Sequence, residues 1–248
     1  MVYFKTFFNI ELALGKKFYK KQGDFYLMVS FKDSEFSIAI NHLEQHEISC
    51  EFPAWVIRHQ KEVFLLAYRM GLKLGFDPEQ LTDISIAARF HDIGKSDIDP
   101  AIINHQGALN EDQRYIIFEH VHQSYHILRK KGIDSKSILN AVFYHHENFD
   151  GSGYPDRLSN EEIPIEAQIL RIVDSYSAML GRRPYQNAEN KDSQWAVSQI
   201  EQGSGILYNP EMVKIFLEIG RPLPESQMKS LQQSDFNGVL FKTGNSIN

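Results

Sequence analysis

The sequence predicts a mainly α-helical bundle with a small β-containing module before it. Three observations predict this. From Ala54 to about Leu217, apolar residues recur at spacings of three and four, the period of a helix with one buried face. Helix start and stop signals punctuate that stretch, from Asp77-Pro78 to Pro210. Before Pro53 the period changes to two, the alternation of strands.

The β-containing module spans residues 1–53. Phe25, Leu27, Val29 and Phe31 alternate with Tyr26, Met28 and Ser30. After Lys32-Asp33-Ser34-Glu35 the alternation resumes at Phe36, Ile38 and Ile40, which predicts a hairpin of 25–31 against 36–40. Ile48 to Phe52 reads as a further short strand. So short a segment buries little surface alone, so it is expected to dock on the rest.

The helical domain is expected over residues 54–222, followed by a polar tail, 223–248. Trp55, His59, Val63, Leu66 and Met70 form one face of a helix that Gly75 ends. Asp77-Pro78-Glu79-Gln80 opens the next, with Asp as cap, Pro in the first turn and Gln at the capping-box position. It runs to Phe90-His91 and is apolar on most sides, as a central helix is. Asn110 opens a helix to about Lys131, stopped by Gly132. Asp134-Ser135 caps another that ends near His145-His146. The run from Asp150 to Pro155 is a loop, with Gly151 and Gly153 expected at positive φ. Pro164 starts a helix through about Leu180, and one or two more follow, over 193–202 and 210–217.

Composition excludes several classes of function. The formal net charge is −6, which argues against a broad basic surface for polymeric nucleic acid. The single cysteine, Cys50, allows no internal disulfide and fits a reducing compartment. No apolar run reaches the roughly 18 residues of a transmembrane helix, and the first residues read as neither signal peptide nor anchor. A cytoplasmic protein is expected.

The chemistry lies in a set of histidines and aspartates. His91-Asp92 ends the central helix, and a buried aspartate is costly unless paired or bound to a metal. His59, His120, His145, His146 and Asp174 fall on apolar faces or at the ends of other helices. One such residue alone is more often a hydrogen-bonded core residue than a ligand. Five helices each turning His or Asp inward point to a shared counter-charge. Imidazole and carboxylate without thiolate suit iron, manganese, zinc or a similar divalent ion. Asp92 is the best candidate to bridge two of them.

These residues carry a resemblance. The order His59, His91-Asp92, His120, His145-His146, Asp174 resembles the HD superfamily of metal-dependent phosphohydrolases. Within it, HDIGK at 91–95, HHENFDGSGYP at 145–155 and RIVDSYSAMLGRRPY at 171–185 resemble an HD-GYP domain. Asn104-His105-Gln106-Gly107-Ala108-Leu109 and Leu207-Tyr208-Asn209-Pro210 are similar to two further elements of that family. The resemblance implies an HD-type helical bundle and a phosphodiesterase that opens cyclic di-GMP to pGpG and on to GMP. Another cyclic dinucleotide is an alternative substrate, and diguanylate cyclase (GGDEF) domains are partners the family implies, here through the GYP loop. Two divalent ions, iron or manganese, are implied as cofactors. Asp174, His59, His91 and Asp92 would hold one; Asp92, His120, His145 and His146 would hold the other. Asp92 and Lys95 would be catalytic. Lys95, Arg183 and Tyr154 would meet substrate, Tyr154 as an exposed aromatic.

Three positions depart from the family pattern. Trp55 stands where some members carry a glutamate for a third metal, so two metals are expected. Ser177 replaces a second aspartate, and Gln186 a basic residue. The last two motivate a second reading, a catalytically silent module that binds cyclic di-GMP or a signalling partner. Arg182 fits either ligand contact or the end of a helix. His122 and His126, four apart on one helix, read as a solvated face rather than a metal pair. His42, His46 and His105 read as structural or exposed.

Overall fold

Pro78–Phe90 (α2) is a largely buried helix of the bundle. The computed structural model describes residues 17–21, 24–28, 54–105, 107–180 and 192–219. Asp77 caps α2 by accepting from the N–H groups of Glu79 and Gln80, while the Gln80 side chain returns to the Asp77 N–H. This is the capping box that Asp77-Pro78-Glu79-Gln80 predicts, and it leaves fewer unpaired donors in the first turn. Ile84, Ala87, Ala88 and Phe90 are wholly buried. Truncating Phe90 to alanine would cost about 3–5 kcal/mol.

Ala54–Leu74 (α1) packs along α2 and also against Ile165–Leu180 (α7). Gly75 ends α1 at φ 77°, a conformation that favours glycine. A 3₁₀ turn at Ile93–Asp97 leads to the short helix Pro100–Ile103 (α3). Glu111–Phe118 (α4) and His120–Lys130 (α5) follow, then Lys136–Tyr144 (α6), capped by Ser135 through the Ile138 N–H. Beyond α7 lie Ser193–Gln202 (α8) and Pro210–Ile219 (α9), which pack against it. Among the described residues no helix is long and apolar enough to cross a membrane.

One expectation is corrected. The helix expected from Asn110 to Lys131 is two helices with a break at Glu119. No residue of α4 is buried, and Ile116 is exposed. The described β-structure pairs Lys17–Lys21 (β1) with Asp24–Met28 (β2) in an antiparallel hairpin, so the strand at 25–28 has a partner upstream. The expected strands at 36–40 and 48–52 lie outside the described residues. The chain divides into two units, of which the helical one is Gln45–Arg221.

Candidate metal centre

Three imidazoles and a carboxylate meet where helix ends converge, and three further candidate ligands come from mid-helix or a loop. His91 is the C-cap of α2, His145 the C-cap of α6, and His120 follows the end of α4. Carbonyls in the last turn of a helix lack an intrahelical partner. Each of these rings uses one. The distances are 2.9 Å from His91 Nδ1 to Ala88 O, 2.5 Å from His120 Nδ1 to Ile117 O, and 2.7 Å from His145 Nδ1 to Val142 O. Bonding to a carbonyl requires the proton on Nδ1, which leaves the Nε2 lone pair facing inward. This is how metal-ligating histidines are commonly held.

Asp92 lies at the centre and is 2% exposed. Its two oxygens face different partners. Oδ1 is 3.3 Å from His120 Nε2 and 4.0 Å from His145 Nε2. Oδ2 is 3.4 Å from His91 Nε2 and 3.9 Å from His59 Nε2. Asp174, on α7, turns Oδ1 to within 3.0 Å of His59 Nε2 and 3.7 Å of His91 Nε2. Donor atoms therefore gather in two groups, Asp92 with His120, His145 and His146, and His59 with His91 and Asp174; within each group they lie within 4.8 Å of one another.

The residues fit divalent cations. His59 Nε2, His91 Nε2 and Asp92 Oδ1 are buried with no hydrogen-bond partner among the described residues, a costly state unless a cation completes them. Burial lowers His120 to about 4 and His145 to about 3, and with its neighbouring imidazoles holds His146 well below its ordinary value. These rings are neutral donors at pH 7. Burial opposes the charge on Asp92, but Lys95, His91 and His120 outweigh it and hold the carboxyl well below its usual range. Burial also disfavours a proton on His91, yet Asp92 and Asp174 raise that ring to about 10. Protons at such sites are what a cation displaces on binding.

Comparison with known proteins identifies the family. The profile of the HD domain matches residues 44–212. The chain belongs to the HD domain family. This HD domain is 36% identical over 169 residues to a cyclic di-GMP phosphodiesterase of Thermotoga maritima, covering 68% of this chain and 45% of that protein. It is 34% identical over 148 residues to a cyclic di-GMP phosphodiesterase response regulator of Xanthomonas campestris, covering 58% and 38%. The chain spans less than half the length of these curated relatives. A crystal structure of a cyclic GMP-AMP specific phosphodiesterase in Vibrio cholerae matches with a TM-score of 0.55 at 13% identity, over 83% of this chain and 54% of that one. That likeness is one of fold.

Residues around the ligands hold the HD domain in shape. Gly94 is the point of closest approach between the 3₁₀ turn and α5. A Cβ there would lie 2.3 Å from His120 O and 2.4 Å from Ser124 N, and the Gly94 N–H donates to Ser124 Oγ at 2.8 Å. Only glycine lets α5 carry His120 so close to Asp92. Lys95 places Nζ 2.5 Å from Asp92 Oδ2 with its side chain 23% exposed, at the rim of the cluster. Arg171, unremarked in the sequence, donates to Asn148 Oδ1 at 2.8 and 3.0 Å and so ties the loop after His146 to α7.

The loop 150–155 differs from expectation. Gly151 has φ 81°, but Gly153 does not have a positive φ. Its lack of a side chain serves packing instead, because a Cβ would meet Asn148 N at 2.3 Å and His146 O at 2.6 Å. Tyr154 is half-buried rather than an exposed aromatic. Its ring stacks on His146 at 4.8 Å and on Phe118 at 4.1 Å. Phe118 sits on α4, too far off in sequence for any local pattern to reveal this. Backbone bonds from Phe149 and Asp150 to Leu207 and Ile206 fasten the loop to the segment before α9.

Arg182, Arg183 and Gln186 lie outside the described residues, as do His42 and His46. His126 is exposed on α5, whereas His122 is half-buried with its ring edge-on to Phe143 at 4.9 Å, and neither joins a donor group. Ser177, in contrast, is 1% exposed and faces His59, with Nδ1 and Oγ 2.9 Å apart. Its hydroxyl donates in turn to Glu62 Oε2 at 2.8 Å.

Proposed function

We propose that residues 54–222 form a phosphodiesterase domain that hydrolyses cyclic di-GMP to pGpG and GMP with two divalent ions, iron or manganese. The observation that carries this is the division of Asp92, one oxygen toward each donor group. His59, His91, Asp92 and Asp174 would hold one ion, and Asp92, His120, His145 and His146 the other. Paired ions there would supply Lewis acidity and a nucleophile at neutral pH.

The chain's own residues do the rest. Backbone carbonyls fix the Nε2 atoms of His91, His120 and His145 before any ligand arrives, so little reorganisation remains on binding. Lys95 at the rim would meet a phosphate oxygen and stabilise charge that develops on it. Arg183 would add a second phosphate contact. Tyr154 would act chiefly by bracing His146, with only its edge open to substrate. A GGDEF-domain partner at the loop would meet Asp150, Ser152, Asp156 and Arg157, which are exposed, before Tyr154. Residues 1–53 are proposed as a separate module.

The silent-module reading drew on Ser177 and Gln186. Ser177 faces His59 and not open space, which removes one of its two motives and favours the active reading. The test is turnover of cyclic di-GMP by purified protein loaded with Mn²⁺ or Fe²⁺. Linear pGpG or GMP is the expected product. A folded protein that holds two ions yet binds cyclic di-GMP without product would establish the silent reading instead.

A further inference from the structure

Three of the five candidate ligand histidines share one construction, and His59 is different. His91, His120 and His145 lean on backbone carbonyls at helix ends. His59 lies inside α1, where helical hydrogen bonds already use the carbonyls. Its Nδ1 must find a partner elsewhere, and it finds Ser177 Oγ on α7.

We infer that Ser177 and Glu62 form a two-link relay whose task is to orient His59, and thereby one of the two metal sites alone. This rests on the proposed metal reading of the centre. A serine hydroxyl has one hydrogen to give. Ser177 gives it to the Glu62 carboxylate, so its oxygen is left to accept the Nδ1–H of His59. The proton therefore sits on Nδ1, and Nε2 offers its lone pair beside Asp174. Glu62 is one turn after His59 on the same helix, so the relay leaves α1, crosses to α7 and returns. Ser177 is a positioning residue, and Glu62 positions Ser177. Neither faces Asp92 Oδ1, His120 or His145, so the second site has no share in the relay.

The test is a titration of the metal-free full chain with Mn²⁺, counting ions and their affinities. Wild type is expected to hold two. Ser177→Ala should weaken one of them by about 10–100-fold and leave the other unchanged. Glu62→Ala should weaken the same ion, and Glu62→Gln, whose amide oxygen still accepts the hydroxyl, should recover most of that loss. Two ions bound with wild-type affinity by both alanine variants would overturn the relay. Equal weakening of both ions together with a fallen Tm would also overturn it, since that marks general packing. If Ser177→Ala does not fold, the Glu62 pair of variants decides alone. A wild type that holds fewer than two ions refutes the metal reading itself, and this inference with it.

Discussion

The two halves of the centre are built on different principles. The half containing His120 and His145 is made of helix ends, and its rings are oriented by main chain. The half containing His59, His91 and Asp174 takes two of its three members from helix interiors, and His59 is oriented by side chains from α7 and α1. Main-chain carbonyls survive any point substitution, whereas a serine does not. The first half is therefore tolerant of changes behind its ligands, and the second is exposed to them. Asp92 turns one oxygen toward each.

Substitutions can break or sharpen this contrast, and Asp92→Asn should have the largest effect. It removes the shared charge, so both ions are expected to leave and turnover to fall to background, read by elemental analysis and nucleotide chromatography. Survival of one ion at full affinity would mean that Asp92 serves only one half. Lys95→Ala comes next, with an expected drop of about 10²–10³ in kcat. Metal content should stay the same, which separates a role toward substrate from one of holding Asp92. Gly94→Ala should then cost about 1–3 kcal/mol by overpacking against α5. Because it displaces His120, calorimetric titration should register weaker binding of one ion, in the half opposite to that weakened by Ser177→Ala. Asp77→Ala is the smallest, about 1 kcal/mol from loss of a helix cap, seen as a lower Tm with turnover unchanged.

Much of this was legible in the sequence, for a physical reason. Ligands that end helices coincide with capping and stop signals, so His91 and His145-His146 announce themselves. Asp77-Pro78 and Pro164 mark the starts of their helices equally well. What was not legible depends on contacts distant in sequence. The break at Glu119 has neither Gly nor Pro to mark it. The stack of Tyr154 between Phe118 and His146 needs α4 and the loop together in space. Alternation in 25–31 identifies a strand but not its upstream partner at 17–21. Ser177 read as a loss because its position in a motif says nothing of what lies behind it; the hydrogen bonds to His59 and Glu62 give it a use.

The central claim is that one carboxylate joins two sites. Electron paramagnetic resonance of the Mn²⁺-loaded chain tests it most directly. A shared Asp92 predicts two ions per chain with an exchange-coupled signal. A single ion, or two ions with independent signals, would contradict it.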